Sequence, residues 1–231
     1  MLTHVRSQLA LHHLRPGEAG GEAGGGGHPL LLLHGLGERS PEEAPEEVAA
    51  WPGPVHALDL TGHGASSRAP GGGYTAEILM GDVDAALAHL GPCTVVGRGL
   101  GGYVALLIAG ARPELVVGAV ICDGPGLAGG GPAPHSPAVI APAAAAQATS
   151  PTDPDPFALV ELARDVRPED YATTYARQAL QFSGREVPIA VAAVVRPPWL
   201  AAVAAEPGVV AEPLADALAR FARLAPTPPT P

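Results

Sequence analysis

The chain has 231 residues, 47% of them apolar and only 4% aromatic, so it can bury one sizeable core, built from Ala, Val and Leu. All 13 basic residues are arginines, set against 23 acidic ones, and the net charge of −10 argues against a nucleic acid or an acidic membrane as partner, since phosphate binding needs clustered cations. No apolar run approaches the ~20 residues of a membrane span, and Met1-Leu2-Thr3-His4 lacks the basic-then-apolar layout of a signal peptide, which points to a soluble cytoplasmic protein.

Val5 to Leu14 alternates loosely and predicts an edge strand or hairpin arm, on which the neighbouring His12 and His13 face opposite ways and cannot share a metal. A Gly-rich loop, 17–27, leads into Pro29-Leu30-Leu31-Leu32-Leu33, apolar on both faces like a central parallel strand, which ends in His34-Gly35-Leu36-Gly37. Pro41 to Ala50 carries Glu42, Glu43, Glu46 and Glu47 and predicts the acidic start of a helix. Val55 to Leu60 is the next strand. The spacing of Ile78, Leu79, Val83, Leu87 and Leu90 predicts a helix over 75–90.

Cys93 to Leu107 then reads as strand, sharp turn and helix, and Val116 to Cys122 as a further strand. Cys93 begins one strand and Cys122 ends the next, so in parallel neighbours they lie too far apart to bridge and read as reduced thiols. From Gly124 to Pro156 the texture turns to Gly, Pro and Ala and reads as loop or disordered linker, with His135 and the Ala143–Ala146 run inside it. Pro156 to Asp165 and Pro168 to Phe182 predict two helices forming a small lid, in which Tyr171 and Tyr175 line a pocket or pack the lid down. Val187 to Val195 (strand), Pro197 to Ala205 (helix), Val209-Val210 (strand) and Pro213 to Leu224 (helix) complete the order, before a Pro-rich tail that should fray. Strands alternating with helices imply a parallel sheet covered on both faces.

Two readings of the central turn stand side by side. Gly97, Gly99 and Gly102 satisfy the GxGxxG dinucleotide fingerprint, and Asp123 follows 21 residues after Gly102. The same turn, Gly97-Arg98-Gly99-Leu100-Gly101, has the frame of the GxSxG nucleophile elbow with Gly99 where the serine would stand.

Three blocks in order, Leu33-His34-Gly35-Leu36-Gly37, Asp59-Leu60-Thr61-Gly62-His63-Gly64-Ala65-Ser66 and Gly97 to Gly102, resemble the HG turn, the DxxGHGxS loop and the elbow of the α/β-hydrolase family. They are separated by 25 residues from His34 to Asp59 and by 40 from Asp59 to Gly99. The resemblance implies a mostly parallel sheet flanked by helices, with a small helical lid. It divides the chain into an α/β-hydrolase core at 1–126 and 185–224, a linker and lid at 127–184, and a disordered tail at 225–231.

The resemblance also implies an oxyanion hole formed by the backbone N–H groups of Leu36 and Leu100, beside the positive end of the helix that follows the elbow. It leaves the catalytic roles vacant. Gly99 supplies no attacking atom, the usual acid position reads Arg196-Pro197-Pro198, and no histidine follows His135. The expected protein is therefore a degenerate hydrolase, without cofactor or metal, that binds a small carbonyl or carboxylate ligand or a partner through Leu36, Leu100, Arg98 and His34. The alternatives are an active hydrolase or lyase using an atypical set drawn from His34, His63 or His135, and a dinucleotide-binding protein. Arg98 either reaches the pocket mouth or pairs with an acid such as Asp123.

Overall fold

The computed structural model describes residues 1–4, 7–17, 27–133 and 150–225, so His135, the Ala143–Ala146 run and the tail beyond residue 225 lie outside it. Strands β1 (Leu2–His4) and β2 (Ser7–Leu9) pair antiparallel as a separate two-stranded sheet. The stretch read as one strand from Val5 to Leu14 is thus divided, its second part becoming β3 (Leu11–Arg15) at the edge of the main sheet.

That sheet has seven strands. β4 (Leu30–Leu33), β5 (Val55–Leu58), β6 (Cys93–Arg98), β7 (Val116–Cys122), β8 (Ile189–Val191) and β9 (Val209–Ala211) join β3 in the order β3-β5-β4-β6-β7-β8-β9. Every pairing is parallel except that of β3 with β5. The strand predicted from Val187 to Val195 shrinks to Ile189–Val191, because Pro188 has no amide to donate and the chain turns away after β8.

Side chains alternate across the sheet with period two. Leu31, Val95, Ala119, Ile121 and Val191 enter one buried cluster, while Leu30, Val96, Val120 and Ala190 enter the other. The first cluster is covered by α1 (Ala76–Leu90), α2 (Leu100–Ala111), α4 (Glu169–Phe182) and α5 (Pro198–Ala204). The second is covered by α6 (Leu214–Ala222), through the fully buried Phe221, and by the 3-10 turn Glu46–Val48 with Trp51. The acidic helix predicted over 41–50 is reduced to that one turn, because Pro45 interrupts its hydrogen bonding and the four glutamates leave Val48 as its only buried residue.

α3 (Pro156–Arg164) and α4, read together as a lid, part company. α3 lies across the ends of the strands, with Ala158 and Leu162 buried, and its N-cap Asp155 is tied to Gly62 O by its amide and to Tyr74 Oη by its carboxylate. α4 instead turns Ala172, Ala176 and Ala179 inward and joins the helical layer on α2 and α5. The Tyr175 backbone sits against Gly110, and the Tyr171 hydroxyl bonds Glu77 and Tyr175, so the two tyrosines pack α4 down. Cys93 and Cys122 are both free thiols, as their strand positions require, and burial pushes both up from the usual thiol range.

Candidate functional site

At the end of β6 the chain reverses through Gly99, whose φ of 58° and ψ of −118° lie where L-residues are strained, and enters α2 at once. Strand and helix cross so closely that a Cβ on Gly97 would sit 2.1 Å from Gly101 O. This is the strand–turn–helix frame of an elbow, with its tip facing the ends of the parallel strands.

The tip is occupied by the chain itself. After β7 the backbone passes through Asp123-Gly124-Pro125, and the Pro125 carbonyl accepts hydrogen bonds from Leu36 N at 3.0 Å and Leu100 N at 2.9 Å. These are the two amides that the resemblance assigns to the oxyanion hole, and they do converge on one oxygen. A Cβ on Gly99 would meet that same oxygen at 2.1 Å and the Gly124 carbonyl carbon at 2.6 Å. A serine at the tip therefore has no room while the loop lies there.

The other predicted residues are each held by local partners. His34 places Nδ1 2.8 Å from Gly35 O, while Nε2 accepts from Leu60 N at 3.1 Å, so both nitrogens are spent on the backbone of the two loops. Burial keeps it neutral by pushing its pKa below the ordinary histidine value. His63 lies 5.0 Å away, ring centre to ring centre, almost fully buried, with Nε2 lacking a partner. Burial lowers its pKa to about 4.

Arg98 grips Glu38 with Nε and Nη2 at 2.9 Å each, and Glu38 also accepts from Gly35 N at 2.9 Å. The acid partner of Arg98 is thus Glu38; Asp123 spends its two oxygens on Val194 N and Val195 N, at 2.7 and 2.9 Å. That leaves Asp123 neither free for a ribose nor in contact with an imidazole among the described residues.

The DxxGHGxS block is a structural knot. Asp59 accepts from Ser40 N at 2.7 Å, Ala65 N at 2.8 Å and His12 Nε2 at 3.0 Å, while Ser66 Oγ accepts from Ala10 N and donates to Asp59 O. Burial, the largest single effect, would raise the Asp59 pKa, but the hydrogen bonds from Ala65, Ser40 and His12 together outweigh it and the net direction is down. Among the described residues no three of His, Cys, Asp and Glu gather as metal ligands, and no helix is long and apolar enough to cross a membrane.

Sequence reasoning missed Pro125, Glu38 and Arg167. A signal existed only for the first: a proline flanked by glycines, directly after a parallel strand, bends the chain back over the strand ends. Arg167 stands in the short link between α3 and α4, where nothing in its neighbours' identities marks it.

A family model described as "Alpha/beta hydrolase family" matches residues 30–230. The dihydrolipoyllysine-residue acetyltransferase component of the acetoin cleaving system of Pseudomonas putida is 36% identical over 127 residues, covering 49% of this chain and 30% of that protein. Esterase Rv0045c of Mycobacterium tuberculosis is 31% identical over 102 residues, covering 43% of this chain and 34% of that protein. The chain thus spans about a third of the length of these curated relatives. Among solved structures, Est1E from Butyrivibrio proteoclasticus, described with ferulic acid bound, superposes with a TM-score of 0.61 at 15% identity, over 96% of this chain and 95% of that one.

Proposed function

Because this chain belongs to the α/β-hydrolase family, we propose that it is a non-catalytic member whose cleft holds a small ligand through a carbonyl or carboxylate oxygen placed on the Leu36 and Leu100 amides. The observation that carries this reading is the Pro125 carbonyl, which already sits on both amides where Gly99 has no side chain to attack it. Two preorganised N–H donors beside a helix N-terminus favour any oxygen that bears negative charge. Acyl transfer would need in addition an attacking atom, a base and an acid that orients the base. His34, with both nitrogens engaged, and Asp123, with both oxygens engaged, offer neither of the last two. In this reading His34 fixes the turn that carries Leu36, and Glu38, held by Arg98, braces the same turn through Gly35 N.

A second reading, an active ester or acyl hydrolase or a lyase with an unusual residue set, draws on the relative named an esterase. One experiment separates the two. Purified protein is treated with a fluorophosphonate probe and assayed on p-nitrophenyl acetate, and its melting midpoint is measured with a series of small carboxylates and amides. No labelling, no turnover and a raised midpoint are expected, since a ligand bound only by the folded state stabilises it. Labelling, or turnover abolished by His63→Ala, would overturn the non-catalytic reading.

A further inference from the structure

A cavity of about 440 Å³ is lined by Gly124, Gly126, Leu127 and Gly129 of the loop after β7, together with Leu36 and Val195. The loop is held at two points. Pro125 O is held by the Leu36 and Leu100 amides. Gly126 O and Leu127 O are held by Arg167 Nη1, at 2.7 and 2.6 Å, and Leu127 O also by Trp199 Nε1 at 2.9 Å.

Arg167 is an unusual counterpart for a loop. It is 1% exposed, its Nε and Nη2 have no partner, and no carboxylate of the described residues comes within 4.0 Å of it. Its guanidinium carbon lies 4.4 Å over the ring centre of Tyr103, whose own buried hydroxyl is also without a partner. Burial lowers its pKa to about 10. The charge of Asp165 favours it from beyond 4.0 Å, but the guanidinium itself touches only backbone carbonyls and a ring, and the group that fits its planar fork is a carboxylate.

We propose that the loop 124–131 stands in for the ligand, and that the ligand is a small molecule bearing a carbonyl and a carboxylate three bonds apart, such as a 4-oxo acid or the half-amide of a four-carbon diacid. Successive peptide carbonyls have that same separation, and here they reach both sets of donors at once. On binding, the loop lifts, the ligand's carbonyl takes the Leu36 and Leu100 amides, and its carboxylate pairs with Arg167. This inference rests on the reading that the two amides receive a ligand carbonyl. Arg167 adds what that reading lacks, a residue selecting for the second functional group.

The test uses the full chain labelled with [15N]leucine, titrated with levulinate and succinamate as bifunctional probes, acetamide as the carbonyl-only probe and acetate as the carboxylate-only probe. The bifunctional probes should shift the Leu36 and Leu100 amide signals and bind about 10- to 100-fold more tightly than acetamide, the gain of a charged hydrogen-bonded pair. Arg167→Gln should erase that gain, so that succinamate binds no more tightly than acetamide to the same variant, and Arg167→Lys should keep part of it. Should Arg167→Gln not fold, Gly126→Ala gives an independent reading. Its methyl would lie 2.6 Å from Leu36 Cβ at a φ of 78°, which loosens the competing loop, so succinamate should bind more tightly. Equal affinity for acetamide and succinamate, or no change in either variant, overturns this inference and leaves the carbonyl-binding reading standing. If no probe moves the Leu36 and Leu100 signals, that earlier reading falls.

Discussion

The Pro125 carbonyl lies 2.9 Å from the amide of Leu100, the first residue of the helix behind the elbow, and 3.0 Å from that of Leu36. One backbone oxygen thus fills the donor pair and fixes what position 99 can be.

Gly99→Ser should therefore not restore hydrolysis. The new side chain must bear a φ of 58°, at about 1–3 kcal/mol, and push against backbone at 2.1 Å, so a urea titration should show a loss of at least that size. Fluorophosphonate labelling should remain absent under the non-catalytic reading, which assigns no base to the cleft. A labelled, turnover-competent Gly99→Ser protein would refute this.

Stability should fall as the pH drops below neutrality. Burial lowers His63 and His28 to about 4, so near pH 5 the unfolded chain takes up protons at these sites that the folded chain refuses. Above the unfolded value of about 6.5 both states are neutral and nothing changes; between there and 4 each site removes stability, about 2 kcal/mol at pH 5, and below 4 the loss levels off. Urea midpoints of the wild type and of His63→Phe, measured at pH 7 and pH 5, check this. The variant should lose less between the two pH values.

Asp59→Ala should cost about 2–4 kcal/mol, because it strips the acceptor from the buried amides of Ser40 and Ala65. Asp59 is held below the ordinary carboxylate value, so its contribution is present above the unfolded pKa of about 3.9 and is lost as the pH falls through the folded one. Chemical denaturation at pH 7 gives the first figure. A loss below 1 kcal/mol would show that the amides find other acceptors.

Phe221→Ala should cost about 3–5 kcal/mol. The ring is fully buried on the sheet face covered by α6, against Gly118, where a Cβ would lie 2.3 Å from it. By contrast, Arg98→Gln should change stability by less than about 1 kcal/mol, since the pair with Glu38 is largely exposed. Calorimetric midpoints rank the two variants.

Much of the scaffold is readable from residue order. The four-leucine run before His34, the β-branched run before Gly97 and the run ending at Cys122 are strands because no helix has so few residues apolar on all sides, and all three lie in the sheet as read. Thr75 as the N-cap of α1 and Pro156 in the first turn of α3 follow from capping chemistry that acts within a few residues. The strand after Val187 and the helix after Pro41 are shorter than their sequence pattern, because Val194 N and Val195 N leave the sheet for the Asp123 carboxylate and Pro45 breaks the helical hydrogen bonding, both of which show only against a neighbour.

The sequence alone determined the alternation of strands and helices and placed a glycine at position 99 of the strand–turn–helix, since periodicity, turn glycines and residue identity are local properties, and the resemblance of three blocks pointed from there to the α/β-hydrolase scaffold. Only the tertiary structure decided what fills the elbow and which charges meet: Pro125 on Leu36 and Leu100, Glu38 on Arg98, and Arg167 beneath the loop after β7. Those pairs join residues that lie 25 to 89 positions apart in the chain. The glycines around Pro125 mark a turn but not its partner, and Glu38 and Arg167 carry no local mark, because the sheet and its helices, rather than the local chain, set such separations.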